Sequence, residues 1–209
     1  GISTDGVPQF LFYLAGNTAW GYFSSCLTST SNTFTGNAGL FGKVYFPRLV
    51  SPITTVIYAL LSFFIQIVLM LVVMGIFVLR GVYVHPNMNL LLVPALIAEM
   101  ALMGMGFGII ISSITTKYRD LKILVSFGVS LWMYATPVVY PVSQIPENLR
   151  KIIMLNPMSP IVSNFRCAFL GSGSFDWHYW GISWIITAVV LFIGIVIFNR
   201  VEKTFMDTV

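Results

Sequence analysis

Apolar residues run along this chain in long blocks, and the polar residues between them come in short clusters. Four blocks are long enough to cross a bilayer: residues 50–79, 90–114, 121–140 and 179–198. A helix needs about 20 mostly apolar residues to span the hydrocarbon core. A fifth block, 10–29, is broken by Gly16, Asn17, Thr18 and several serines. It is predicted to span as well, with one side facing protein or water. Irregular backbone exposed to lipid would leave peptide groups without hydrogen bonds, so all five blocks are predicted helical. The expected fold is all-α: a polytopic membrane helical bundle with five spans, forming a single transmembrane domain over residues 1–209.

Composition agrees with this pattern. Apolar types make up 57% of the chain and charged types 9%, with a mean hydropathy of +0.87. A soluble domain would need more charge to cover its surface, so lipid is the expected main solvent. The net charge of +4 is modest and dispersed, which argues against a nucleic-acid partner. Cys26 and Cys167 lie far apart and in no metal-ligand spacing, so both are expected to serve packing. No secretory-signal pattern precedes the first block, and the chain starts at Gly1 rather than Met.

Charge sets the orientation. Five spans put the two ends on opposite sides. One side gathers Lys43, Arg48, Lys117, Arg119, Lys122, Arg200 and Lys203, and the other Arg80, Arg150, Lys151 and Arg166. The richer side is expected in the cytoplasm. The stretch SSITTKYRDLKILVSF (112–127) is then a tight cytoplasmic turn, where Lys117, Arg119, Asp120 and Lys122 return to water. Each cation placed at mid-membrane instead would cost about 2.5–3.5 kcal/mol.

Five of the ten prolines fall within residues 137–160. Pro146 is expected to open a short helix ending at Leu155, with Leu149, Ile152 and Ile153 on one face and Glu147, Asn148, Arg150 and Lys151 on the other. Asn156-Pro157 would stop it. Ser159 is expected to cap a second helix, with Pro160 in its first position and Gly171 at its end. Neither is long enough to span. A re-entrant lid at the outer face and an ordinary interfacial loop both fit.

Few motifs point to chemistry. GNAGLFGKV (36–44) lacks the first glycine and the final hydroxyl of a phosphate loop, so no nucleotide site is expected there. Gly104 and Gly108 form a Gly-x-x-x-Gly pair, read as close helix packing, and the segment is unlike a potassium filter. His85 and His178 lie at outer ends of spans, and no nucleophile–base pair is evident. Glu99 is the ionisable residue deep within a block; it is either a functional site or a packing anchor. Phe10, Tyr13, Asn17, Trp20 and Ser24 share one helical face, and Ser126, Ser130 and Tyr134 share another, with Trp132 nearby. Rings interleaved with hydroxyls and amides suit sugar faces, although an interfacial aromatic belt also fits.

Three blocks carry a family likeness: NTFTGNAGLFGKVYFPRLVSPI (32–53), YRDLK (118–122) and ATPVVYPVSQIPENLRKIIMLNPMSPIV (135–162). In order and spacing the chain resembles the Wzm-like membrane (permease) subunits of bacterial polysaccharide ABC exporters. The resemblance implies a non-enzymatic transport subunit of the bacterial cytoplasmic (inner) membrane. It implies six spans, with an N-terminal interface helix and first span that precede this chain. Two copies would form a channel for a lipid-linked polysaccharide of O-antigen, capsular or teichoic acid type, surrounded by membrane lipids. Each would bind a separate cytoplasmic ATPase, which holds the ATP and Mg; no cofactor is expected in this chain.

The resemblance also assigns roles. Asn32, Lys43, Tyr45, Phe46, Arg48, Lys117, Tyr118, Arg119 and Asp120 are the expected ATPase-coupling residues. Tyr140, Pro141, Pro146, Leu149, Ile152, Asn156 and Pro157 belong to an expected outer gate within 137–171. Tyr13, Asn17, Trp20, Ser24, Ser130 and Tyr134 are the expected channel-lining set. The competing readings are a lipid or drug exporter permease, and a self-contained ion-coupled carrier using Glu99. A membrane glycosyltransferase would need surface carboxylates, and the seven acids do not cluster.

Overall fold

A computed structural model of the chain describes residues 4, 6–33, 36, 49–82, 84–115 and 120–206, with side chains to Val201. Its elements are α1 (Gln9–Ser31), α2 (Val50–Leu79), a 3-10 turn (Met88–Leu92), α3 (Val93–Thr115), α4 (Leu121–Ala135), a 3-10 turn (Val142–Gln144), α5 (Glu147–Leu155), α6 (Met158–Leu170) and α7 (Trp177–Met206). No strand occurs among the described residues.

All five apolar blocks are helical, but they differ as spans. Val50–Leu79, Met88–Thr115 and Trp177–Val201 are long and apolar enough to cross a membrane. Helix α1 has the length, 23 residues, but not the hydropathy. Several of its hydroxyls bond within the helix: Thr18 donates to the Leu14 carbonyl at 2.8 Å and Thr28 to the Ser24 carbonyl at 2.7 Å. Helix α4 has the hydropathy but only 15 residues, a rise of about 22 Å. It ends at Ala135 rather than continuing to 140. Pro137 crowds the backbone of the residue before it, and Thr136 is accordingly extended (φ −104°, ψ 141°).

The bundle is a row, α7–α3–α1–α2, with α6 tucked beside α1. Glycines set its spacing. A Cβ on Gly104 would lie 2.7 Å from Cys26 Cβ, and one on Gly108 would lie 2.5 Å from Thr30 Cβ. The Gly-x-x-x-Gly face is thus where α3 lies on α1, as the packing reading expected. Gly106 points the other way, because two residues turn a helix by about 200°. Its added Cβ would lie 3.1 Å from Leu191 Cα on α7, and a Cβ on Gly194 would lie 3.0 Å from the Gly106 carbonyl.

These pairings also fix direction. Gly104 meets Cys26 and Gly108 meets Thr30, so α1 and α3 run parallel. Glu99 meets Ser183 and Gly106 meets Leu191, so α7 runs parallel to both. The C-terminal ends of α1, α3 and α7 and the start of α4 therefore share one end of the bundle. The loop around His85 and Asn87 abuts Ala168 and Gly171 at the other end. Lys122 and Arg200 stand at the first end, and Arg80 and Arg166 toward the second. That is the division the cation count predicts.

The two short helices form where expected, with one shift. Pro146 precedes α5, whose end is Leu155. Leu149 and Ile152 are exposed, and Met154 is the α5 side chain that is buried. Helix α6 starts at Met158, before the expected cap at Ser159. The Met158 N–H donates to Asn156 Oδ1 at 3.2 Å, so Asn156 does the capping. Pro160 sits in the third helical position, where a missing N–H still costs no intrahelical bond. Gly171 ends α6 in the left-handed conformation (φ 69°), 3.1 Å from the Cys167 carbonyl it donates to. All of α6 except Ser163 is buried, so it is an internal element of the bundle and not a surface loop.

Candidate gate and channel surface

Of the expected gate residues, Asn156 and Pro157 form the dipeptide that joins α5 to α6. Asn156 Oδ1 accepts from the Trp132 indole N–H at 3.0 Å and from the Met158 N–H at 3.2 Å. Its Nδ2 donates to Thr136 Oγ1 at 2.9 Å and to the Ala135 carbonyl at 3.3 Å. One amide can make four such bonds, so Asn156 is saturated. The amide can sit only one way round, because Trp132 and Met158 offer nothing but donors. Asn156 thereby fastens the α5–α6 junction to the end of α4.

Pro157 is held from the other side. Ser183 Oγ on α7 lies 2.9 Å from the Pro157 carbonyl oxygen and 2.6 Å from Glu99 Oε1 on α3. The Trp180 indole N–H donates to Glu99 Oε2 at 2.6 Å. Glu99 is fully buried, and Trp180 packs edge-on against Phe175 and Trp177. Of the two sequence readings of Glu99, this geometry is that of the packing anchor.

The remaining expected gate residues sit on the turns that precede α5 and on α5 itself. The Tyr140 hydroxyl donates to the Tyr134 carbonyl at 3.2 Å, tying the turn after α4 back onto it. Pro141 precedes the second 3-10 turn and Pro146 precedes α5. Pro141 also borders a cavity of about 140 Å³ whose wall includes Arg150, Ser163, Arg166 and Asp176. Arg166 is buried, with its guanidinium 3.8 Å above the Phe12 ring centre and an N–H donated to the Val138 carbonyl. Gly16 makes this possible, since a Cβ there would collide with the Arg166 side chain and stand 2.7 Å from the Val138 carbonyl.

The expected channel-lining residues separate by depth. Asn17 is exposed, and Tyr13 and Ser24 are half-buried along the same side of α1. Trp20 is buried instead, in a cluster with Phe23, Trp132 and Phe107 whose ring centres lie 5.1–6.1 Å apart. Ser130 and Tyr134 are exposed on α4, the Ser130 hydroxyl donating to the Ser126 carbonyl at 3.0 Å. Trp132 therefore joins the aromatic cluster of α1 and α3 to the α5–α6 junction at Asn156. Neither that link nor the Trp180–Glu99–Ser183 link is visible in sequence. Trp180 and Ser183 do share a helical face at i, i+3, but nothing connects them to Glu99, 81 and 84 residues away.

Of the expected coupling residues, Lys43, Tyr45, Phe46, Arg48, Lys117, Tyr118 and Arg119 lie outside the described residues. Asn32 follows α1, its Nδ2 donating to the Thr28 carbonyl at 2.9 Å. Asp120 precedes α4 and is exposed. Both stand at the bundle end opposite the Asn156-Pro157 junction. Among the described residues no group of His, Cys, Asp and Glu is arranged to hold a metal ion.

Two O-antigen export system permease proteins, both named RfbA and both from Klebsiella pneumoniae, are similar to this chain. They are 29% and 27% identical over 203 residues, covering 96% of the chain and 76% of each relative. An RfbA of Myxococcus xanthus with the same description is 28% identical over 172 residues, covering 80% of the chain and 64% of the relative. The family profile described as ABC-2 type transporter matches residues 2–170. A bundle with three apolar spans, no strand among its described residues and that match together identify the chain as a membrane protein of the ABC-2 type transporter family.

Proposed function

We propose that this chain is the transmembrane subunit of an ATP-driven exporter that moves a lipid-linked polysaccharide of O-antigen, capsular or teichoic acid type across the bacterial cytoplasmic membrane. The observation that carries this reading is similarity to O-antigen export permeases over 96% of the chain. The structure adds a compatible layout. The described coupling residues Asn32 and Asp120 stand at one end, and the Asn156-Pro157 junction stands toward the other. In this reading α1 and α4 complete the five spans, with α4 extended by the turn that follows it. Two copies form the channel. Asn17, Tyr13 and Ser24 of α1 offer the polymer hydrogen-bonding groups, and Ser130 and Tyr134 do so from α4. A separate ATPase binds and hydrolyses ATP against residues 32–48 and 117–120 and drives the spans apart, while α5 and α6 control the outer mouth. This chain makes and breaks no bond.

The reading is tested by purifying the protein from its own membranes and identifying what accompanies it. A stoichiometric ATPase that crosslinks to residues 32–48 or 117–122 is expected. A protein that arrives alone and moves ions through liposomes without nucleotide would refute the proposal.

A further inference from the structure

Three oxygens stand in a row between α3, α7 and the start of α6. Glu99 Oε1 lies 2.6 Å from Ser183 Oγ, which lies 2.9 Å from the Pro157 carbonyl oxygen. Oxygens this close need a hydrogen between them. The row has two gaps, so it needs two hydrogens. Pro157 has none to give, because its carbonyl only accepts and its nitrogen carries no hydrogen. Ser183 has one. If Ser183 fills the gap to Glu99, its lone pairs face those of Pro157; if it fills the gap to Pro157, they face those of Glu99. Only a hydrogen on Glu99 completes the row. The other carboxyl oxygen, Oε2, accepts from the Trp180 N–H, a group that can only donate. The hydrogen therefore belongs on Oε1. Glu99 and Ser183 are both almost wholly buried, so water does not substitute.

We propose that Glu99 is a protonated carboxyl that donates to Ser183, which in turn donates to the Pro157 carbonyl, and that this relay positions the α5–α6 junction. Asn156, the neighbouring residue, is held independently by Trp132 of α4 and by Thr136, which follows that helix. Two consecutive residues are thus fixed by different helices, one by α4 and the other by α3 and α7. A shift of α4 against α7 would therefore pull on both residues of this dipeptide. Glu99 is a positioning residue here and carries no ion. The hydrogen count rests on geometry alone; only the transport readout below rests on the proposed exporter function.

The test compares the full-length protein with Glu99→Gln, Glu99→Leu and Ser183→Ala. Glutamine keeps a donor for Ser183 and an acceptor for Trp180, whereas leucine keeps neither. The infrared spectrum of the wild type at neutral pH is expected to contain a protonated-carboxyl C=O band. That band is expected to be absent in Glu99→Gln and shifted in Ser183→Ala. ATP-driven export should survive in Glu99→Gln and fall about tenfold or more in Glu99→Leu, as buried donors lose their acceptor. Loss of only an ionised-carboxylate band in Glu99→Gln would overturn the proposal, as would a Glu99→Gln protein as defective as Glu99→Leu. If the wild type itself exports no polysaccharide, the exporter reading fails while the infrared result still decides the hydrogen on Glu99.

Discussion

Asn156 concentrates four hydrogen bonds in one side chain. Asn156→Ala strands the Trp132 and Met158 donors at the foot of α4 and the head of α6. Each stranded buried donor costs about 1–3 kcal/mol. The variant should unfold at lower temperature in detergent and should loosen the gate, which hydrogen exchange at Met158–Ile161 would register. Arg166 offers a second single-residue test. Its planar guanidinium lies on Phe12 while bonding Val138, an arrangement a lysine cannot copy. Gly16→Leu should fill the space Arg166 occupies and destabilise by about 1–3 kcal/mol, the usual cost of overpacking. Thermal unfolding of Gly16→Leu and Arg166→Lys checks both. Sequence marked Asn156 as a helix breaker, which it is, but could not show the bonds to Trp132 and Thr136, which lie 24 and 20 residues back. Arg166 entered only as a cation on the outer side, because burial against a ring and a carbonyl is a property of the packed state.

At the scale of the element, three glycines of α3 carry different partners. Gly104→Leu should separate α3 from α1, and Gly106→Leu should separate α3 from α7. Gly75 of α2 has no atom near its absent Cβ and serves as the control. Loss of about 1–3 kcal/mol is expected for the first two and little for the third, read as thermal stability of the detergent-solubilised protein. A Gly75 variant as unstable as Gly106→Leu would contradict the assigned faces. The Gly-x-x-x-Gly face was legible because spacing of four reports a single helical side. Gly106 was not, since its meaning depends on Gly194 and Leu191, far along the chain. The long apolar blocks located α2, α3, α4 and α7, because lipid demands uniform apolarity, and the interrupted block 10–29 located α1. Their ends were less visible. Pro137 cut α4 short, and Asn156 rather than Ser159 began α6. Both depend on local backbone geometry, which hydropathy does not contain.

For the whole molecule, the parallel course of α1, α3 and α7 predicts sidedness. A cysteine at Asp120 should react with a membrane-impermeant thiol reagent only from the cytoplasm, and one at Ser174 only from outside. Cys26 and Cys167 are buried and should not interfere. Reaction of both from one side would overturn the arrangement of the bundle. Arg119→Ala and Asp120→Ala should reduce coupled transport with the fold intact; unchanged export and ATPase docking in both would remove that segment from the coupling surface. That Lys122 and Arg200 share one end of the bundle was legible in the sequence, because cations mark where water is expected to return. The exposed side of α1 was legible only in part. The periodicity of Tyr13, Asn17, Trp20 and Ser24 gives one helix face, yet Trp20 is turned into the core by Trp132, a residue over 100 positions away. The most direct measurement is transport in proteoliposomes that hold the full-length protein with its co-purified ATPase and a lipid-linked polysaccharide. The account predicts movement of the polymer that requires ATP hydrolysis and stops when the ATPase is removed. Movement that persists without nucleotide, or ATP hydrolysis that leaves the polymer in place, would contradict it.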